Sequence, residues 1–286
     1  VVFLPEGIYR GANCRLLGED IQCGETILRT GCRLRPQEIG LAASIGCDHL
    51  PVMVPLKVAV FSTGNEVLDP GDSLFEGAIY DSNRYTLMQL LKSVGCEVVD
   101  LGILEDDPKI IADALLSATI KYDLILTSGG VSTGEEDHVR KVVENEGSLL
   151  FWRLAIKPGR PVALGQINDT VFIGLPGNPV AAMVTFLQIA RPIILKLSGA
   201  NDTAPKLFSV QSDFSYKKKL HRREYVRVQI KKNGNGKLIA KKYKREGAGI
   251  LSSMVFADGF VELSEDIVNV EKGDFVNYIP FSELGL

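Results

Sequence analysis

The sequence has no CxxC motif, and its cysteine usage excludes a complete disulfide framework. An odd number of thiols leaves one outside any full pairing scheme, the five standing at Cys14, Cys23, Cys32, Cys47 and Cys96. This usage is typical of reduced thiols in a cytosol, so a cytoplasmic protein is expected. The even spacing of Cys14, Cys23 and Cys32 leaves a metal site open, but thiols on successive short strands explain it more simply.

Long apolar runs and common nucleotide-binding signatures are also missing. No run reaches the roughly 18 apolar residues of a membrane span, and no secretory pattern follows Val1. No GxGxxG follows the first predicted strand, which argues against a Rossmann-type dinucleotide fold, and HExxH and P-loop motifs do not occur. A formal net charge of −3 gives no overall case for nucleic acid or a membrane as partner.

What is present is the composition of a globular protein, in three regions of different character. Residues 1–55 are rich in glycine and predict part of a β-rich domain. Residues 56–198 alternate strand and helix signals, which predicts an α/β domain with a mostly parallel central sheet flanked by helices on both faces. Residues 199–286 contain short strand patterns joined by glycine-bearing turns, which predict a small β-barrel or, as the alternative, a sandwich.

The patterns in the first two regions place individual elements. In the first region a helix is predicted over residues 36–45, between a proline and a glycine. Ligands of a parallel sheet bind beyond the carboxyl ends of its strands, so the segments that follow them are expected to meet at one edge. In the second region the predicted strands include residues 57–61, 96–101, 123–127 and 171–174, and the predicted helices residues 83–94, 108–120, 137–145 and 180–197.

Several of these strand ends carry glycine, proline or charge. Glycine lets backbone N–H groups approach a phosphate, and a following helix adds its positive N-terminal end. Cations near such loops and carboxylates at their border suit a phosphorylated ligand bound with Mg²⁺, because this ion takes one or two carboxylates plus ligand oxygens. The segments are Ser62–Glu66, Asp106–Pro108, Ser128–Ser132, Ala155–Pro161 and Gly174–Pro179.

Six ordered motifs in this region are similar to those of a known family. They are STGNE, YDSNR, LEDDP, SGGVSTGEED, AIKPGRP and GLPGNP. Together they resemble the MoeA-type molybdopterin molybdenumtransferases, a family that includes the carboxy-terminal domain of gephyrin. The resemblance implies a MogA-like central domain and the insertion of molybdate into adenylylated molybdopterin, with release of AMP and with Mg²⁺ as cofactor.

The resemblance also implies roles for individual acids. Glu66, Asp106 and Asp137 match acidic positions that would hold Mg²⁺ and orient molybdate or water. Asp20, in the GEDI segment, matches a further functional acid of the neighbouring domain. All four are expected to be catalytic.

Cations and loop residues complete the expected site. Lys157 keeps a family lysine, Arg153 stands where relatives can carry lysine, and Arg227 matches an arginine expected to reach a partner subunit's cleft. Ligand binding is expected at Ser128, Gly129, Gly130, Val131, Ser132, Lys157, Gly159, Arg160, Pro176, Gly177, Asn178 and Pro179.

The sequence departs from the family pattern in two places. Ala248 stands where relatives can carry serine. The family's extended N-terminal domain and the first part of a split second domain are absent, so residues 1–55 are expected to be the tail of that second domain. A homodimer and contact with the upstream adenylyltransferase are implied by the resemblance.

Three other functions are considered beside the transferase. Residues 206–245 contain 14 Lys or Arg and 2 acids, but the charges alternate with apolar residues, which favours a solvated barrel face over a nucleic-acid surface. A gephyrin-like scaffold needs no catalytic acids, whereas Glu66, Asp106, Asp137 and Lys157 are kept. A CinA-type nucleotide hydrolase shares the central domain but not the terminal regions.

Overall fold

The computed structural model describes residues 1–3, 6–7, 9–131 and 137–286. The chain forms two compact units. The first consists of Val1–Val52 with Ala200–Asp202, and the second of Met53–Gly199 with Thr203–Leu286. The expected domain boundaries after residues 55 and 198 stay predictions.

The first unit contains turns and one helix. Helix α1, Pro36–Ser44, has proline in its first turn and ends before Gly46, whose φ is 85°, so the predicted helix is confirmed. No strand lies in the described part of residues 1–52, so the expected β-rich character is not seen there. The expectation of thiols on short strands is wrong, because Cys14, Cys23 and Cys32 lie in exposed turns and loops.

The second unit contains the remaining regular structure. Its helices are α2 Asn83–Ser93, α3 Pro108–Thr119, α4 His138–Glu146, α5 Pro179–Thr185, α6 Arg191–Leu197 and α7 Ser252–Phe256. Its first nine strands are β1 Lys57–Thr63, β2 Val67–Leu68, β3 Ile79–Tyr80, β4 Glu97–Leu104, β5 Leu124–Ser128, β6 Ser148–Arg153, β7 Ile156–Lys157, β8 Pro161–Ile167 and β9 Thr170–Leu175. The others are β10 Phe208–Ser212, β11 Tyr216–Lys217, β12 Arg223–Lys232, β13 Leu238–Lys242, β14 Gly259–Leu263, β15 Asn269–Val270 and β16 Phe275–Pro280.

Six strands form the central sheet in the order β4-β1-β5-β9-β8-β6. The first four are parallel, and β8 and β6 extend the sheet in antiparallel pairing. Alternate residues of β1 enter two different cores: Val58 packs with α2 and α5, and Phe61 packs with α3 and α4. Helices therefore cover both faces, and the predicted α/β fold is confirmed.

A closed five-stranded barrel follows the α/β sheet. Its strands run β12-β13-β10-β16-β14, and pairing of β14 with β12 closes the ring. Its interior contains a separate apolar cluster that includes Val228, Ala240 and Val261. The predicted barrel is confirmed, and the sandwich alternative is wrong. Strand β7 adds to the outside of the ring by parallel pairing with β12.

One continuous helix, Pro179–Leu197, unites α5, a π-helical turn at Phe186–Ala190 and α6. By length and composition it could cross a membrane, so the expectation that no apolar segment is this long is wrong. Its apolar stretch is 61% buried inside the fold. A buried core helix of a soluble protein has the same character, and this segment is therefore weak support for a membrane span.

We predict that Gly174→Ala destabilises the second unit by about 1–3 kcal/mol, because a methyl group there adds volume to a filled core. Gly174 lies in β9, and its Cβ would collide with the buried Val131 side chain. Gly234→Ala is the control, since nothing lies within 4 Å of a Cβ at that position. Urea unfolding measures both, and equal stability of the two variants would contradict this account of the packing.

Candidate functional site

Two glycines allow the ends of the neighbouring strands β1 and β5 to approach each other. Gly129 and Gly130 follow β5 with φ angles of 102° and 65°. A Cβ at position 129 would lie 3.0 Å from the Thr63 carbonyl oxygen, and one at position 130 would lie 2.6 Å from Val139 Cγ2. Both the backbone conformation and the close approach therefore require glycine.

The segment after β5 that contains Gly129 and Gly130 is the first glycine loop. A second loop, which follows β9, lies against it. The Gly129 amide donates to the Leu175 carbonyl oxygen at 3.1 Å. A Cβ at Gly177 would lie 3.9 Å from Gly129 Cα. The two glycine-bearing loops thus form one continuous backbone surface at the carboxyl edge of the parallel strands, as the order of the motifs predicts.

Asn83 links the two loops through its side-chain amide. Asn83 Nδ2 donates to Ser128 Oγ and to the Gly177 carbonyl oxygen, both at 2.7 Å. Ser128 Oγ in turn donates to the Pro176 carbonyl oxygen at 3.1 Å. These three bonds fix the spacing of the loops, so Asn83 is a site residue that the sequence analysis missed.

A buried ion pair holds Asn83 at the start of α2. Arg84 is 3% exposed, and its backbone amide donates to Asp81 Oδ1 at 3.0 Å while its Nε donates to Asp81 Oδ2 at 3.1 Å. Its Nη1 also donates to Asp100 Oδ1 at 2.7 Å. A guanidinium this buried needs such partners. The YDSNR motif that contains these residues was the available signal for Asn83.

The three predicted acids lie on different elements of the second unit. Asp106 Oδ1 accepts from Thr63 Oγ1 at 3.3 Å, and Asp106 is half-buried. Asp137 precedes α4 as its N-cap residue. Glu66 is exposed and folds back over Gly64, where a Cβ would lie 2.9 Å from Glu66 Oε2. In the described ranges no three Asp, Glu, His or Cys side chains gather into a metal-binding group.

Arg153 stacks on the single tryptophan of the chain. Its guanidinium carbon lies 4.1 Å from the Trp152 ring centroid, and that of Arg140 lies 3.8 Å from the same centroid. Trp152 Nε1 donates to the Val131 carbonyl oxygen at 2.8 Å. The indole thus connects Arg153 with the end of the first glycine loop.

A cavity of about 220 Å³ lies between the second loop and the barrel. Pro176 and Asn178 line it from the α/β side. The Val180 amide donates to the Ala248 carbonyl oxygen at 2.9 Å and so joins α5 to the barrel segment there. The polar lining includes Lys157, Tyr216, Glu224, Arg227, Lys242 and Arg245. The lining also includes Glu246, so four cations face two acids, and this excess of positive charge suits an anion.

Arg227 is the most buried cation of this cavity, at 9% exposure. Burial lowers the pKa of its guanidinium. Its Nη2 donates to the Gly247 carbonyl oxygen at 3.3 Å, while its Nε is buried without a hydrogen-bond partner among the described residues. Arg227 thus lines a cavity of its own chain, and its reach to a partner subunit stays a prediction.

The remaining expected residues do not all lie at the glycine loops or the cavity. Gly159 is buried against α5, where a Cβ would collide with Thr185, and Pro179 begins that helix. Arg160 is exposed, and Ser132 lies outside the described residues. Asp20 is exposed within the first unit.

The chain combines a MogA-like α/β sheet, glycine loops at the edge of that sheet, and a closed barrel. This combination places it in the class of molybdopterin-binding proteins. Residues 59–196 match the family described as "Probable molybdopterin binding domain". Residues 209–281 match "MoeA C-terminal region (domain IV)".

Relatives match over nearly the whole chain. "Molybdopterin molybdenumtransferase" of Haemophilus influenzae is 39% identical over 273 residues, which are 95% of this chain and 68% of that protein. A solved MoeA protein of Pyrococcus horikoshii is 30% identical with a TM-score of 0.75, covering 92% of this chain and 63% of that one. The chain belongs to the MoeA-type molybdopterin molybdenumtransferase family, and it spans about two thirds of the length of these relatives.

We predict that Asn83→Ala lowers the free energy of unfolding by about 1–2 kcal/mol, because two acceptors lose their shared donor. Gln89→Ala is the matched control, since Gln89 is exposed on the same helix α2. Urea titration of both variants measures the difference. Asn83→Ala as stable as the Gln89 control would show that the amide does not brace the loops.

Proposed function

We propose that this protein inserts molybdate into adenylylated molybdopterin and releases AMP in molybdenum cofactor biosynthesis. The observation that carries the proposal is the pair of glycine loops braced by Asn83, with Asp106 and Asp137 at their border. Membership of the molybdenumtransferase family supports the same reaction. Because the relatives are longer than this chain, the proposal concerns the whole protein.

The glycine loops would hold the phosphorylated pterin. The amides of Gly130 and Val131 follow the end of β5, where Gly129 and Gly130 place no side chain over them. Such backbone donors bind phosphate oxygens at no cost in side-chain ordering. The Pro176–Pro179 segment extends the same surface, and the amide of Asn83 fixes the spacing of the two loops.

The acids fit Mg²⁺ by the chemistry of their oxygen atoms. Their oxygens are the hard donors this ion prefers, and Mg²⁺ commonly takes one or two carboxylates and completes its shell with phosphate oxygens and water. Asp106 and Asp137 would hold it, with Glu66 as the third expected acid. When bound, the ion would screen the negative charge of the phosphoanhydride.

Three cations would bind the oxyanion substrate. Lys157 and Arg227 line the cavity and would bring positive charge to the molybdate oxygens. Arg153, held on Trp152, stands at the other side of the first loop. Catalysis would then consist of positioning and fixed positive charge, both of which act without reorganisation of solvent.

Assembly and location follow the family expectation. We propose a cytoplasmic homodimer that receives its substrate from the upstream adenylyltransferase. Size-exclusion chromatography with light scattering measures the assembly directly.

The reaction itself is tested by incubating the purified protein with adenylylated molybdopterin, Mg²⁺ and molybdate. Molybdate-dependent release of AMP is expected. Binding of the adenylylated ligand without AMP release would contradict the transferase proposal for this chain. A non-catalytic scaffold would show this second result.

We predict that Asp137→Asn reduces molybdate-dependent AMP release roughly 100-fold or more, because a carboxylate proposed to hold Mg²⁺ is removed. Asparagine is as good an N-cap as aspartate, so α4 and the melting temperature should be unchanged. Asp113→Asn, an exposed site on α3, is the control and should keep full turnover. Unchanged turnover in Asp137→Asn would exclude Asp137 from the mechanism.

A further inference from the structure

A short strand pairing places Lys157 beside a buried acid of the barrel. Strand β7 pairs in parallel with β12, with Ile156 opposite Arg223 and Lys157 opposite Glu224. The Arg223 amide also donates to the Ala155 carbonyl oxygen at 2.8 Å. The backbone register itself therefore brings these two charges together, although 67 residues separate them in the sequence.

Glu224 is an unusual member of the cavity wall, because its side chain is only 1% exposed. Its Oε2 accepts from the Tyr216 hydroxyl at 2.7 Å, and its Oε1 accepts from Arg222 Nε at 3.0 Å. Burial opposes its charge most strongly, but these two hydrogen bonds together with the charges of Lys157 and Arg222 hold the pKa of Glu224 below its usual value. Glu224 is thus a fixed negative charge at the base of a cationic cavity.

Tyr216 and Glu224 also contact the Lys157 side chain, which lines the cavity. Its Nζ donates to the Tyr216 hydroxyl at 3.1 Å and lies 3.4 Å from Glu224 Oε2. The lysine side chain is 45% exposed, so its ammonium is anchored at one side and open at the other. A flexible lysine without such an anchor would sample many rotamers and lose entropy on binding an anion.

We propose that Glu224, together with the Tyr216 hydroxyl, is a positioning residue that fixes the Lys157 ammonium at the cavity wall, where it meets an oxyanion substrate. The inference rests on the proposed function for the identity of that oxyanion. The alternative role for Glu224 is purely structural, as the ion-pair partner of Arg222 at the start of β12.

The first test measures the anchor without any need for turnover. Acylation of lysines by an amine-reactive ester, followed by mass spectrometry of peptides, reports the labelling rate of Lys157. In Glu224→Gln, this rate should rise roughly fivefold, the factor expected when one net hydrogen bond is lost. An unchanged Lys157 rate in a folded Glu224→Gln protein would overturn the proposal. Tyr216→Phe should shift the rate in the same direction, and no shift there would equally count against it.

The second test uses the sign of the effect on molybdate affinity, measured by isothermal titration calorimetry. Loss of an acid near an anion should tighten binding by charge alone. Positioning predicts the reverse for Glu224→Gln, a roughly fivefold weaker affinity, because Arg222 already offsets the charge of Glu224. Tighter binding in Glu224→Gln would overturn the proposal.

Glu246→Gln is the charge-matched control, since Glu246 lines the same cavity but pairs with Lys242 Nζ. It should leave Lys157 labelling unchanged and give equal or tighter molybdate binding. Equal loss of affinity in both variants would mean that any acid of the cavity serves, which also overturns a specific role for Glu224.

A double-mutant cycle separates positioning from structure. Lys157→Met should weaken molybdate binding roughly tenfold, and adding Glu224→Gln to it should change nothing further. Additive losses would identify a structural role for Glu224 and contradict the proposal. If the wild-type protein binds no molybdate, the proposed function fails for this chain, while the labelling experiment still decides whether Glu224 anchors Lys157.

Discussion

The close approach of three backbone segments at the carboxyl edge of the sheet is the constraint on which the candidate site depends. Gly129 and Gly130 leave no room for a side chain between the ends of β1 and β5, and the second loop packs directly on Gly129. Asn83 holds this arrangement through two hydrogen bonds, and the buried Arg84 holds Asn83 in turn. A rigid, backbone-lined surface bordered by carboxylates is what phosphate recognition with a divalent ion requires.

The barrel contributes chemistry as well as stability. Because β7 adds to the barrel as an extra strand, the loop that carries Lys157 is tied to β12 by main-chain hydrogen bonds. The cavity that results is lined both by residues of the α/β sheet and its loops and by residues of the barrel. The two parts of the proposed reaction, phosphate binding and oxyanion binding, thus lie on either side of the Pro176–Pro179 segment.

The sequence patterns were sufficient for the main helices and central strands of the second unit, but not for the first region, where the expected β-rich character is not seen in the described residues. Helix α2 was predicted over residues 83–94 and spans Asn83–Ser93, and α3 was predicted over 108–120 and spans Pro108–Thr119. Periodicity and capping signals are local, so they can be recognised in the sequence without knowledge of the fold. The pairing of β7 with β12 and the burial of Glu224 depend on contacts distant in sequence, and no local pattern carries them. Trp152 was missed for the same reason, whereas Asn83 lies in the YDSNR motif and only its contacts with Ser128 and Gly177 were out of reach.

Hydrogen exchange of the backbone amides at Gly130 and Val131 tests the central claim most directly. Adenylylated molybdopterin is added with Mg²⁺, and exchange is measured by mass spectrometry with and without the ligand. If these amides bind the phosphorylated pterin, they should exchange at least about tenfold more slowly in its presence, while amides of the barrel strand β16 keep their rates. Saturating ligand that leaves the exchange rates of both loop amides unchanged would contradict the account.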